Sequence, residues 1–293
     1  MTNSLAIADR PRDLLVSGHV NVDRFLRVPA FPDADRTVPV ESHRFELGGT
    51  ATNIALTASR YGVAAGLVAR VGSEFPSTFW RRLRSAHLDL RGLERTAEAV
   101  TPTAYIFEDR HGQQRTFMEQ GPMGTPPARA PPRPWLEEYS WLHLTTADPD
   151  FQLRLLAEAR RLGVRGAADP AQEIHYRWDR PRLRRLLAGS EILFGNRGEI
   201  DRAVQLLRMR RPEELVAMVP LVVRTEGPDG ATAWDRTGTI HVRGTSPRRV
   251  RTVVGAGDAF RGGFYAAWFE GEALRGCLVA GNRAAQRWLE GRR

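Results

Sequence analysis

Short apolar runs alternate with segments of helical spacing along most of this 293-residue chain. That alternation restricts the fold to a largely parallel sheet covered by helices on both faces. Leu14 to Val20, Ala65 to Gly72, Trp141 to Leu144, Gly166 to Asp169, Ile192 to Phe194 and Leu221 to Thr225 read as buried strands. Between them, Ala51 to Tyr61, Phe79 to Ala86 and Phe151 to Leu162 carry helical periodicity, with Gly62 and Gly163 as stops. Thr232 to Val242 reads as a hairpin turning at Arg236-Thr237-Gly238, and the run from Pro122 to Pro134 as a loop. A glycine-rich start at Gly255 opens one late helix, and a last helix is expected from about Leu278 to Leu289.

Two pieces break this rhythm. Residues 25–45 and 103–118 each read as strands without intervening helices, the second turning at Arg110-His111-Gly112. They predict a small sheet standing off a core domain made of 12–24, 46–102 and 119–293. No internal repeat is visible.

Composition removes several chemistries. The chain contains no lysine, and all 43 of its Lys+Arg residues are arginine. A Walker-A phosphate loop and a Schiff-base mechanism both need lysine, so phosphate handling here would fall to backbone N–H groups, metal and arginine. The net charge of +9 raises the question of nucleic acid. Arginines cluster at 81–84, 182–185, 208–211 and 248–251, but these clusters are scattered and lack interleaved aromatics or a reading motif. They are expected on solvated helix faces, and the charge favours anionic nucleotides over nucleic acid. The seven histidines show no metal-ligand spacing, and no Gly-x-Ser-x-Gly elbow exists. The single cysteine, Cys277, forbids an intrachain disulfide and suits a reducing compartment. No run approaches the roughly 18 apolar residues of a membrane span, and the first residues lack the pattern of a secretory signal, so the expected location is the cytoplasm.

Four segments could carry chemistry. Val253 to Phe264 passes from a β-branched entry through Gly255, Ala256 and Gly257 to Asp258 and a helical pattern. Small residues there would expose consecutive N–H groups at a helix N-terminus as an anion cradle, with Asp258 beside the anion as a base for an attacking hydroxyl. The same residues also suit a capped helix start with an acid near its positive end. Gly48-Gly49 leading to Asn53 permits close approach of a ligand, with an amide that can both donate and accept. Asp23, after the first strand, sits where open α/β sheets bind ligands. Asn196 and Glu199 could organise magnesium through water, or simply begin a helix. Thr225, Gly227 and Gly230 form a turn that needs no ligand to explain it.

In this order the segments resemble the ribokinase-like (PfkB) kinases over nearly the whole chain. Gly48, Gly49 and Asn53 match that family's Gly-Gly-x-x-x-Asn, and Asn196 with Glu199 its Asn-x-x-Glu. Thr225, Gly227 and Gly230 match Thr-x-Gly-x-x-Gly, and Gly255 to Asp258 the end of its late Gly-Ala-Gly-Asp signature. The resemblance implies an α/β core with a β-sheet lid and transfer of the γ-phosphoryl group of ATP, with magnesium, to an acceptor hydroxyl. Asp258 would be the base, and Gly255, Ala256 and Gly257 the anion hole. Asn196 and Glu199 would organise magnesium, and Asn196, Thr225, Gly227 and Gly230 would line the nucleotide pocket. Asp23, Gly48, Gly49 and Asn53 would hold the acceptor. Because phosphoryl transfer works mainly by positioning and charge neutralisation, it does not demand lysine.

Within the family the chain is most similar to the archaeal-type nucleoside kinases, through residues 101–107, 114–117, 143–151 and 168–172. That likeness adds Gln114 and Asp169 as acceptor-pocket candidates and implies a nucleoside acceptor, with a free sugar, a sugar phosphate or a silent nucleoside-binding sensor as alternatives. A homodimer through the lids is also implied. Two departures stand out: Thr252 replaces an aspartate that helps many relatives bind a monovalent cation, and Gly72-Ser73-Glu74 replaces the usual Gly-Asp-Asp.

Overall fold

The computed structural model describes residues 10–97, 99–125 and 133–292. Part of the loop expected between Pro122 and Pro134, residues 126–132, lies outside the described residues, as do the first nine residues.

In chain order the elements are β1 (Arg12–Ser17), β2 (Asn21–Arg27), β3 (Ser42–Gly48), α1 (Thr50–Arg60), β4 (Ala65–Gly72), α2 (Ser77–Ser85), β5 (Asp89–Thr96), β6 (Thr103–Glu108) and β7 (Gln114–Glu119). They continue as β8 (Tyr139–Leu144), α3 (Pro149–Arg161), β9 (Arg165–Ala168), α4 (Arg180–Ala188), β10 (Ile192–Asn196), α5 (Arg197–Leu207), β11 (Leu221–Thr225), β12 (Ala231–Asp235), β13 (Gly238–Val242), α6 (Ala256–Phe269) and α7 (Leu274–Leu289).

Nine strands form the main sheet in the order β13-β12-β11-β10-β9-β8-β1-β4-β5. Every pairing from β5 through to β11 is parallel, and the hairpin β12–β13 adds two antiparallel strands at one edge. Leu14, Leu15 and Val16 of β1 have no exposed surface, as a central strand covered on both faces requires. Helices α1, α6 and α7 pack together, and α3, α4 and α5 form a second contacting group. Among the described residues no helix is long and apolar enough to cross a membrane.

The small sheet has the order β3-β2-β6-β7, with β2 and β6 parallel and both outer pairings antiparallel. Its own buried apolar core is Phe25, Ala104 and Ile106. At about 1.5–3 kcal/mol for each large buried side chain, that core adds little beside the main domain, which leaves the lid the softer part of the molecule.

Three elements differ from their expected bounds. The chain leaves β1 at Ser17 and re-enters pairing at Asn21, so Asp23 lies inside the lid strand β2 rather than in a turn after a core strand. The small sheet therefore takes in residues 21–24 and 46–48 at its root. The sequence reading assigns no element to 89–96, yet β5 forms there, because an edge strand carrying Arg91, Glu94 and Arg95 shows no apolar run. Helix α7 begins at Leu274, four residues early, its N-cap Ala273 offering no capping side chain to mark it.

Candidate active site

Two clefts meet at the start of α6. The first, of about 260 Å³, lies between the carboxyl ends of the main-sheet strands and the lid. Asn21 and Asp23 enter from β2, Gly49 and Asn53 from the start of α1, Ile106 and Met118 from the lid, and Val254 and Asp258 from the α6 junction. The second, of about 480 Å³, is bounded by the Thr225–Gly230 turn, Ala256 and Gly257, with Val250, Val253 and Phe260 as apolar wall. Residues 254–258 thus contribute to both clefts.

The local sequence explains this junction. Gly255 is the N-cap of α6, with φ +85°, in the left-handed region that favours glycine. A Cβ there would also stand 2.7 Å from the Trp288 ring. Trp288 Nε1 donates to the Val254 carbonyl at 2.7 Å, so α7 fixes the loop from behind. Asp258 falls in the first turn of α6, at the positive end of that helix, where the Ala256 N–H is turned back to the Val253 carbonyl.

Asp258 Oδ2 accepts from Asn53 Nδ2 at 2.9 Å. Burial pushes the Asp258 carboxyl up to about 6, with the Asp169 charge adding to the rise, against the pull of Arg261 and the Asn53 bond. Beneath the loop lies a buried network. Arg261, 4% exposed, pairs through Nη2 with Asp169 Oδ1 at 2.8 Å and donates through Nη1 to the Gly257 carbonyl at 2.9 Å. Asp169 also faces His143 Nε2 at 3.2 Å, and His143 Nδ1 meets the Tyr265 hydroxyl at 2.8 Å. Burial keeps His143 neutral, so Nε2–H donates to the carboxylate and Nδ1 accepts from Tyr265. Burial works to raise the Asp169 carboxyl, but Arg261 and His143 outweigh it and hold the group below its ordinary value. Arg261 thereby ties the backbone of the Gly255–Gly257 loop to the carboxyl end of β9.

A family model described as pfkB family carbohydrate kinase matches residues 11–290. The chain belongs to that family. The nucleoside kinase of Methanothermobacter thermautotrophicus is 32% identical over 268 residues, spanning 91% of this chain and 85% of that protein. The ATP-dependent ribose-1-phosphate kinase of Halopiger xanaduensis is 30% identical over 285 residues, 93% of each chain. The crystal structure of the Methanocaldococcus jannaschii nucleoside kinase, described as an archaeal member of the ribokinase family, superposes with a TM-score of 0.89 at 27% identity, covering 96% of this chain and 92% of that one. The chain has the ribokinase-like fold, and it is a kinase.

This pfkB-family kinase brings together most of the residues that its sequence singles out, though not all. Asp23, Gly49, Asn53 and Asp258 share the first cleft, while Thr225, Gly227, Gly230, Ala256 and Gly257 share the second. Gly48 stands behind the first cleft, packed against the Asp23 carboxylate. Gln114 does not line that cleft. It shares a face of β7 with Thr116 and Met118 but lies further out, exposed, and donates to Glu108 Oε2 at 2.8 Å. Asp169 is fully buried under Arg261 and does not reach the cleft surface. Asn196 and Glu199 form a reciprocal capping box on α5, Asn196 Oδ1 accepting from Glu199 N at 2.9 Å and Glu199 Oε2 from Asn196 N at 2.7 Å. Burial raises the Glu199 carboxyl, and its Oε2 lies 4.0 Å from Arg261 Nη2.

Sequence reasoning misses His19, Gln120, Glu173 and Tyr176, all of which line the first cleft. They come from the link after β1, the exit of β7 and the turn after β9. An acid or amide in such a turn has no periodic signature. One backbone feature does mark the last of these places: Ala171, just before Gln172 and Glu173, has φ +49°, a left-handed conformation that a non-glycine residue adopts only at some cost.

Proposed function

We propose that this kinase moves the γ-phosphoryl group of ATP to a ribose hydroxyl of a nucleoside, with Asp258 as general base. The observation that carries the reading is the sharing of the 254–258 loop by both clefts. An acceptor hydroxyl in the first cleft and a triphosphate in the second would meet at one carboxylate and one helix N-terminus. Asn53 occupies one oxygen of Asp258 and leaves the other for the hydroxyl proton. With its carboxyl near 6, Asp258 is ionised at neutral pH and still basic enough to take that proton in the transition state. Within the Gly255–Ala256–Gly257 turn the Ala256 N–H is turned to the Val253 carbonyl, so the Gly257 N–H would hold the charge that develops on the phosphoryl oxygens. Arg261 anchors the adjoining Gly257–Asp258 peptide through its carbonyl.

Asp169, Glu199 and Asp258 surround the single Arg261 guanidinium, a donor set with carboxylate charge to spare. Among the described residues no three of these side chains converge as direct metal ligands, so a magnesium ion would be carried mainly by the nucleotide phosphates and water, with Glu199 as the protein group that would hold it through water. Bound there, the ion would neutralise phosphate charge during transfer. The Asn196 amide oxygen caps α5 and holds Glu199 in place, and its second lone pair would be open to a magnesium-bound water. Relatives that act on a nucleoside and on ribose 1-phosphate both support a ribose-bearing acceptor.

Across the lid, Phe45, Arg24, Tyr105 and Phe117 align in register on the face opposite the cleft, with Arg24 over the Phe45 and Tyr105 rings and Phe45 and Phe117 exposed. This aromatic face supports a homodimer through the lids.

The deciding experiment is a coupled assay of ADP release with ATP, magnesium and a panel of nucleosides and sugars, run beside Asp258→Ala. Turnover of one nucleoside class, lowered about 10²- to 10⁴-fold in the variant, is the expected result. Nucleotide binding without turnover of any acceptor would reject catalysis in favour of a sensor.

A further inference from the structure

The end of the first cleft away from Asp258 holds polar atoms that phosphoryl transfer does not use. Glu173 is 1% exposed, and its Oε2 accepts from Ala147 N at 2.8 Å. Its Oε1, together with Gln120 Oε1 and His19 Nε2, has no hydrogen-bond partner of good geometry among the described residues, the Gln120 amide interacting only loosely with Glu173 and with His19. All three residues line the cleft, and the Gln120 amide faces both of the others. Burial lowers His19 to about 4, so its ring is neutral at physiological pH. Native interiors rarely leave buried polar atoms unpaired, and three at one end of a cleft mark a place kept for the polar edge of a ligand. The surroundings describe that ligand further. Met118 and Ile106 of the lid are apolar, and Tyr176 adds an aromatic ring beside Gln120, its hydroxyl 3.4 Å from Gln120 Nε2. A flat heterocycle with N–H groups on its edge suits this lining, and a phosphate does not, because a nearly inaccessible carboxylate faces it.

We propose that Glu173, with Gln120 and His19, reads the base of the acceptor nucleoside, Glu173 Oε1 accepting from a base N–H, and that this carboxylate turns away acceptors bearing a phosphate where the base would sit. The proposal deepens the nucleoside reading above and rests on it. Gln120 directly follows the lid strand β7 and Glu173 lies in the turn after β9, so the base would sit where lid and core join. The Glu173 carboxyl faces the Arg177 guanidinium and Asp148, which are paired to each other at 3.1 Å. The arginine is thus already engaged and does not offer a free cation to a phosphate.

The test compares matched acceptors that differ in the base N–H. Inosine is set against purine riboside, and uridine against 3-methyluridine, with ribose 1-phosphate as the third class. Assays run at about pH 8.5, where Glu173, pushed by burial up to about 7, is ionised. The wild type is expected to favour the N–H-bearing member of the pair it accepts by about 10- to 100-fold in kcat/KM, and to turn over ribose 1-phosphate far more slowly. Glu173→Gln, which replaces one acceptor oxygen by an N–H donor, is expected to compress or reverse that ratio. It should also raise ribose 1-phosphate relative to the nucleoside by about tenfold or more. Thermal melting checks that the variant is folded. Gln120→Leu, which leaves the Ala147 N–H bond intact, is a second variant expected to narrow the same ratio. Calorimetric Kd ratios for the same pairs give the comparison without chemistry.

Equal kcat/KM and Kd within each pair, or a ratio unchanged in both folded variants while nucleosides remain substrates, would overturn the base reading and leave the kinase reading intact. A wild type that phosphorylates ribose 1-phosphate and no nucleoside would overturn both.

Discussion

Among the described residues only one oxygen of Asp258 is engaged, and the partner is an amide that favours the ionised form. A base works only when deprotonated, so kcat/KM is expected to rise with pH through a midpoint near 6 and to fall about tenfold per pH unit below it. Asn53→Ala removes a donor that lowers this pKa. The acid limb of the variant should therefore lie at higher pH, and paired pH–rate profiles would show the displacement. Arg261 supports a different prediction. Arg261→Met leaves Asp169 buried without its guanidinium and is expected to cost about 3–5 kcal/mol by denaturant unfolding, with part recovered in Arg261→Met/Asp169→Asn. At this scale the sequence is only partly legible. Asp258 and Asn53 follow glycine-rich helix starts and declare themselves. Arg261 is one of 43 arginines and reads like any solvated cation. Only the fold reveals that a strand end 92 residues away meets it.

Helix α6 carries Asp258 and the Gly255–Gly257 turn, and its flanks are almost flat. A Cβ on Gly262 would stand 2.6 Å from Thr57 Cβ of α1, and one on Gly263 would stand 2.5 Å from Ala284 Cβ of α7. Backbone-to-backbone packing of three helices in this way holds the loop at Gly255 on a rigid support. Gly262→Ala and Gly263→Ala must push the helices apart, and each is expected to lower stability by about 1–3 kcal/mol in spite of alanine's better helix propensity, as a lowered Tm would report. The alternation of apolar runs and helical spacing makes the parallel core readable, since strands covered on both faces are apolar throughout. It fails at β5, where one edge faces solvent, and at the first residues of α7, where no cap announces the turn.

The whole molecule divides unevenly, with a large rigid core and a lid whose own interior is three side chains. Two strand regions, each without a helix inside it, are enough to anticipate that lid, because strands joined directly pair antiparallel and fall outside the parallel core. Its roots in the cleft were less legible, since the alternation along β2 does not say which face meets the core. If two lids pair through their aromatic faces, sedimentation should give a dimer for the wild type and a monomer for Phe117→Glu, with the core fold unchanged by circular dichroism. The loop at 254–258 has a further thermodynamic meaning. A wall common to two compartments cannot be reshaped by one occupant without altering the other's fit. Whatever factor ATP applies to the dissociation constant of the acceptor, the acceptor must return to ATP in equal measure.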